Sequence, residues 1–272
     1  MNHALSVFVA SFALFLLPAM TSAQEAMEPT TYRGPKEKLH IYLLVGQSNM
    51  SGRAKIEDQD RKIPGNLFLL DSQSKWVGAT HPFIQYTNVP NSADLNVIKA
   101  QGKSGLNLGL AFARKMLQAS DDVSIGLVVN SQGGSAIKTW LRDGKNYEKT
   151  MDRVRTAKVT GIVKGVLWHQ GESDLAMGDA YLDSLAKVVS QFRDDLGDAK
   201  LPFVVGQLAP LPKEKKAIDA FNQALLQFPV RVRTSAVVRT EGFRGDDIHF
   251  GNVETRRLGE MYAAEMLNLQ AK

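Results

Sequence analysis

The chain has 272 residues, 44% hydrophobic and 22% charged, with a formal net charge of +5. That balance belongs to an ordinary globular protein and excludes disordered, collagenous and multi-span membrane classes. The complete absence of cysteine excludes disulfides, thiolate metal sites and cysteine nucleophiles.

Residues 1–23 stand apart. They hold no Lys, Arg, Asp or Glu, Ala4 to Met20 is almost wholly apolar, and Thr21-Ser22-Ala23 closes the stretch in small residues. This predicts a signal peptide cleaved after Ala23, hence a secreted or periplasmic protein with no membrane span after cleavage. The rival reading is a retained anchor. Its apolar run is shorter than the roughly 20 residues a span needs, and Pro18 lies near its end. Behind it, 24–39 is a polar surface lead-in with Pro29, Gly34 and Pro35, and 40–272 has the length of one large α/β domain.

The domain opens with HIYLLVGQSNMSG at 40–52. A short apolar run ending on glycine predicts a buried parallel strand over 40–45, with Ser48 just beyond its carboxyl end. Residues 53–66 are charged and end in Pro64-Gly65, a loop or short helix, and 66–71 (NLFLLD) is expected to be a short edge strand. Residues 78–103 show no sustained period and are expected to be a long surface excursion shaping the substrate site. Leu106, Leu108, Leu110, Ala113, Met116 and Leu117 make a helical apolar face. Val123 to Val129 is the clearest central strand, and 147–160 reads as a helix. GVLW at 165–168 is a strand opening into HQGESD, and 179–196 is a helix. A strand over 202–208, a helix over 215–228, a strand over 232–238 and a helix over 252–269 complete the chain. Strands alternating with helices imply a mainly parallel sheet covered on both faces.

Polar or glycine-rich clusters follow several of these strands: 46–49, 130–135, 169–174 and 245–249. Together they point to one constructed site at one edge of the sheet. Serine hydrolysis needs a nucleophile, a base near neutral pKa, an orienter for that base and donors for the oxyanion. Of five histidines, His3 lies in the signal segment, while His40 and His81 suit surface or packing positions. His249 follows Asp246 by three residues in a glycine-flanked turn, where the carboxylate can orient the imidazole and leave it for Ser48.

GQSNM at 46–50, S-x-G-G-S with a following Trp at 131–140, WHQGESD at 168–174 and D-x-x-H-F at 246–250 resemble the SGNH-type carbohydrate acetylesterases. More narrowly, they resemble the sialate O-acetylesterase-like group that includes the acetylxylan esterases of carbohydrate esterase family six. The resemblance runs from about 40 to 268. It implies a three-layer, flavodoxin-like α/β SGNH fold and removal of O-acetyl groups from a carbohydrate, acetylxylan or a related glycan, with a sialate as the alternative. It implies Ser48 as nucleophile, His249 as base and Asp246 as its partner. The oxyanion donors it implies are the backbone N–H groups of Ser48 and Gly133 and the side-chain amide of Gln170. Gln47 and Asn49 belong to the serine block and the substrate loop, and Glu172 to a carboxylate that holds loops together. The expected partner is an acetylated oligo- or polysaccharide, and the chemistry needs neither metal nor organic cofactor.

Other readings of the same residues stay open. Ser131 is a rival nucleophile, although Val129 stands where the G-x-S-x-G elbow has glycine. His169 and Glu172 form H-x-x-E, a possible metal pair, but on a strand end rather than the helix of H-E-x-x-H. Glu172 and Asp174 lie too close in one turn to flank a sugar bond as a glycosidase pair. Trp140 and Trp168 suit sugar stacking or core packing equally. A catalytically silent carbohydrate-binding protein is the remaining class. Lys213, Lys215 and Lys216 around Glu214 read as a solvated helix start, not a nucleic-acid stripe. Nothing in the sequence encodes the sugar, the acetylated position or the oligomeric state.

Overall fold

The structure is a computed structural model and describes residues 30–87, 105–210, 212–246 and 248–272. The expected signal segment and most of the excursion at 78–103 lie outside the described residues.

Seven strands form the main sheet: β1 (Leu39–Gly46), β2 (Leu67–Leu70), β3 (Trp76–Gly78), β4 (Ser124–Ser131), β5 (Ile162–His169), β6 (Phe203–Gly206) and β7 (Ser235–Val238). Their order is β3-β2-β4-β1-β5-β6-β7, parallel except for β3. β1 is central. From it the chain builds first toward β2 and β4 and then crosses to β5, so the connections diverge on either side of its carboxyl end. In open α/β sheets the ligand crevice lies at that reversal.

The apolar run of β1 feeds both faces, because strand side chains alternate. Ile41, Leu43 and Val45 enter one core with Trp140, Trp168 and Phe192. Tyr42 and Leu44 enter the other with Phe112, Leu258, Tyr262 and Met266. Helices α3 (Lys145–Thr160), α4 (Asp179–Leu196) and α5 (Lys215–Leu225) supply the first face. Helices α2 (Gly109–Gln118) and α7 (Asn252–Gln270) supply the second. The three-layer α/β expectation holds.

Several boundaries differ from the sequence reading, each for a local reason. Leu106 and Leu108 precede α2, because Asn107 folds its side-chain oxygen onto the Gly109 N–H (3.0 Å) and starts the helix there. The helix expected to reach residue 228 stops at Leu225, and a separate turn, α6 (Phe228–Arg231), follows with Pro229 near its start. β2 is not the edge strand. β3 pairs antiparallel outside it, too short at three residues to show a period. A two-stranded ladder also forms between β8 (Gly245–Asp246) and β9 (His249–Phe250).

Register sets the site. Gly46 of β1 lies level with Ser131 of β4 on one side and His169 of β5 on the other. Three polar clusters therefore emerge side by side. The approach is so close that only glycine fits: Gly46 has φ 144°, and a Cβ there would lie 2.0 Å from the His169 carbonyl oxygen. Gly46→Ala is expected to cost about 3 kcal/mol or more through strain and overpacking. Urea unfolding checks this, and a loss under about 1 kcal/mol would mean that the strands part easily.

Candidate active site

Gln47 leaves β1 by donating its N–H to the His169 carbonyl (2.9 Å), and its own carbonyl accepts from Met50 and Ser51 N–H. That turns the chain into α1 (Ser48–Ser51), with Ser48 at its first position and 7% exposed. The Ser48 N–H makes no hydrogen bond among the described residues, as expected for the first turn of a helix. After β4, Gln132 N–H bonds the Gly46 carbonyl (2.9 Å), which carries Gly133 to the same edge. The Gln47 side-chain oxygen accepts weakly from the Gly171 N–H (3.4 Å), tying the serine turn to the loop after β5.

His249 is 8% exposed and sits in β9, with the Asp246 backbone level with it across the ladder from β8. Asn49, the neighbour of Ser48, brackets this histidine. Its amide nitrogen donates to the Ile248 carbonyl (3.1 Å), and its oxygen accepts from the Phe250 N–H (3.2 Å). The same nitrogen donates to Glu172 Oε1 (2.7 Å). One side chain thus joins the serine turn, the backbone on both sides of His249 and the loop after β5.

Behind this junction, Asn252 and Arg256 at the start of α7 grip the segment that follows α1. Asn252 donates to Glu57 (2.9 Å) and accepts from the Lys55 N–H (2.9 Å). Arg256 pairs with both Glu57 and Asp60, and these carboxylates hold its guanidinium well above its ordinary pKa. His249 and Phe250 lie immediately ahead of that helix, so the ion-pair cluster fixes the histidine relative to the serine a second time.

Gln170 does not act as the sequence reading expects. It is fully buried, and its amide nitrogen donates to the Ser135 carbonyl (2.9 Å) and to Asp174 (2.5 Å). The Tyr181 hydroxyl points its one hydrogen between the Gln170 backbone carbonyl (2.7 Å) and side-chain oxygen (3.0 Å). With both amide hydrogens engaged, the side chain has no donor left for an oxyanion in this arrangement. It braces the loops after β4 and β5 instead. Asp174 has the same office, since it also accepts from the Ile137 N–H (2.7 Å).

The competing readings resolve on geometry. Ser131 is wholly buried, with its hydroxyl accepting from Ser51 (3.0 Å). His169 is wholly buried beside Tyr262: the Tyr262 hydroxyl donates to the Trp168 carbonyl (2.6 Å) and so accepts from His169 Nδ1–H (3.1 Å). Burial drives the His169 pKa down to about 3, so the ring is neutral. Trp140 and Trp168 are buried and meet edge to face, with ring centroids 5.5 Å apart. They pack the core, and neither reaches a sugar.

Glu172 accepts from Asn49, and its setting is unusual. Its Oε2 is buried without a hydrogen-bond partner among the described residues. Burial, with a smaller push from Asp174, raises its pKa to about 7, against its own backbone N–H and Asn49.

Comparison with known proteins names the family. Residues 38–268 match the family model described as carbohydrate esterase, sialic acid-specific acetylesterase. The chain belongs to this family. It is 32% identical over 250 residues to a probable carbohydrate esterase of Arabidopsis thaliana, covering 84% of this chain and 90% of that one. A crystal structure of an Arabidopsis thaliana protein superposes with a TM-score of 0.72 at 25% identity, over 84% of this chain and 98% of that one. The fold is shared with NanS (TM-score 0.69, 17% identity, 88% and 99% covered). It is shared also with a carbohydrate acetylesterase from Xanthomonas citri (0.61, 24%), where 84% of this chain spans 56% of the other. This SGNH-type acetylesterase is thus a carboxylic ester hydrolase of acetylated carbohydrate.

Three features of the acetylesterase site escape the sequence: the bracketing of His249 by Asn49, the clamp of α7 on Glu57 and Asp60, and the tyrosine partners of His169 and Gln170. Only Asn49 left a signal there, as part of the serine block.

Asn49→Ala removes the bonds to Ile248, Phe250 and Glu172 and leaves buried groups unpaired, with an expected stability loss of about 2–4 kcal/mol in urea unfolding. Glu172→Gln tests the buried carboxyl. A pKa raised in the folded state favours folding below the unfolded value of about 4.5, and that advantage fades as pH rises toward 7. The stability of the wild type should therefore fall relative to Glu172→Gln between pH 5 and pH 8, by up to about 3 kcal/mol, and its melting temperature should fall with it. Parallel melting curves for the two proteins would contradict the assignment.

Proposed function

We propose that the protein removes O-acetyl groups from carbohydrates by a serine mechanism, with acetylxylan or a related glycan as substrate. The observation that carries this reading is the double bond of Asn49 to the backbone on either side of His249, which couples the turn of Ser48 to that imidazole.

Ser48 Oγ attacks the acetyl carbonyl carbon while His249 accepts its proton. Asp246, level with His249 in the ladder, orients the ring and balances the imidazolium. The oxyanion is received by the backbone N–H groups of Ser48 and Gly133, and Gln170 supports the Gly133 side by holding the Ser135 carbonyl. Collapse breaks the bond to the sugar oxygen, which takes the proton from His249 and leaves as a free hydroxyl. Water, deprotonated by His249, then attacks the acetyl-enzyme and releases acetate and Ser48. The shallow exposure of Ser48 and His249 suits a small acyl group.

The family description favours a second substrate reading, an O-acetylated sialic acid. The sequence of residues 1–23 supports export, so a glycan outside the cytoplasm fits either case. No helix among the described residues is long and apolar enough to cross a membrane.

Acetate release across acetylated xylan, acetylated sialic acid and other acetylated glycans decides between the substrates. Ser48→Ala is expected to lower kcat by about 10⁴-fold or more, and mass spectrometry of quenched wild-type reactions should find an acetyl group on the Ser48 peptide. Activity that survives Ser48→Ala and is lost with Ser131→Ala would overturn the mechanism.

A further inference from the structure

A groove of about 430 Å³ opens between α5 and the segment joining β7 to β8. None of the candidate catalytic residues lines it. It lies at the carboxyl ends of β6 and β7, on the same edge of the sheet as Ser48, and its walls back directly onto both site loops. Leu208 and Phe221 press on Gly171, where a Cβ would meet the Phe221 ring at 2.4 Å. Phe243, which lines the groove, packs edge to face on Phe250 with centroids 5.8 Å apart, and Phe250 follows His249.

The floor is built and rigid. Gln207 accepts from the Thr240 N–H (3.0 Å) and donates to the Asn222 carbonyl (2.8 Å). Asn222 accepts from the Leu208 N–H (2.8 Å) and donates to the Leu208 carbonyl (3.1 Å). The Thr240 hydroxyl donates to the same carbonyl (2.9 Å). The ends of two strands and one helix are thus locked together by side chains that face no other task.

The walls are polar and mixed in sign. Lys215 is neutralised by Asp219 in the next turn of α5. Arg239, Glu241 and Gln223 have exposed side chains with no hydrogen bond or ion pair among the described residues. A guanidinium, a carboxylate and an amide lining a groove of this size offer donors and acceptors together, without a net charge. That pattern selects against an anion, a cation or an apolar group. It suits the vicinal hydroxyls of a neutral pyranose, each both donor and acceptor, and the volume is of the order that binding pockets for small molecules occupy, about 300–1,000 Å³.

We propose that this groove is a subsite for a neutral sugar residue linked to the acetylated one, so that the enzyme acts on oligosaccharides in preference to single sugars. The inference rests on the carbohydrate esterase reading and assigns it a chain-length requirement. Arg239 and Glu241 are its specificity-determining residues, carried on the segment whose Thr240 is bonded into the floor.

The test compares kcat/KM for acetylated xylose, xylobiose and xylotriose, and for O-acetylated sialic acid free and at the end of sialyllactose. The expected result is a rise of about tenfold with the first added neutral sugar, in whichever series is cleaved, from charge-assisted hydrogen bonds. Arg239→Ala and Glu241→Ala are each expected to reduce that rise to about twofold. Calorimetry of unacetylated xylotriose and lactose with the wild type and both variants measures the same contacts without catalysis, and it serves if a variant turns over poorly. Equal kcat/KM at every length, or variants that keep the full rise, overturns the subsite alone. Wild type that cleaves 4-nitrophenyl acetate and no glycan overturns the carbohydrate reading, and the subsite with it.

Discussion

The amide of Asn49 is the junction on which the site depends. A serine turn and a histidine turn placed by different parts of a sheet have no intrinsic reason to hold a fixed separation. Here the residue after Ser48 bonds the backbone before and after His249, so neither can shift without losing the other. Because the bonds run to backbone groups, the constraint acts on the position of the peptide and not on one rotamer. The third bond, to Glu172, anchors the junction to the loop after the central pair of strands. A buried amide with all these partners satisfied is strongly directional, which suits it to set geometry more than to add stability.

Behind the junction, the fold supplies a rigid base. Gly46 stands level with Ser131 and His169, so β1, β4 and β5 deliver their polar loops to one line. The wholly buried polar groups there are paired into short chains: Gln170 with Ser135, Asp174 and Tyr181, and His169 with Tyr262 and through it Trp168. Glu172 Oε2 and His169 Nε2 are buried there without a hydrogen-bond partner among the described residues. Burial raises the Glu172 pKa to about 7, so this carboxyl, one bond away from Asn49, makes the site responsive to pH.

Much of this was legible in the sequence because its signals are local. A run such as Ile41–Val45 followed by glycine encodes both a buried strand and its end. Alternating apolar periods encode parallel sheet and covering helices, and the clusters after them mark the edge where ligands gather. What was not legible depends on three-dimensional neighbours. The role of Gln170 turned on where Ser135, Asp174 and Tyr181 would stand, and they consume the amide that the sequence offered to the substrate. Trp140 and Trp168 could stack on sugars or on each other until their burial was known. β3 and the β8–β9 ladder are too short for any period to appear. Lys215, within the lysine-rich helix start, turned out to border a groove whose other walls come from residues far along the chain.

The bond from Asn49 to Phe250 spans 201 positions. The serine turn is therefore among the first parts of the domain to leave a ribosome, and the histidine among the last, with the clamping helix after it. A chain cut short before β9 holds the Ser48 turn with no His249 beside it, so under the proposed mechanism such partial products of synthesis or proteolysis are inert. Under that mechanism, hydrolytic activity reports that two segments far apart in the chain have met in the finished fold.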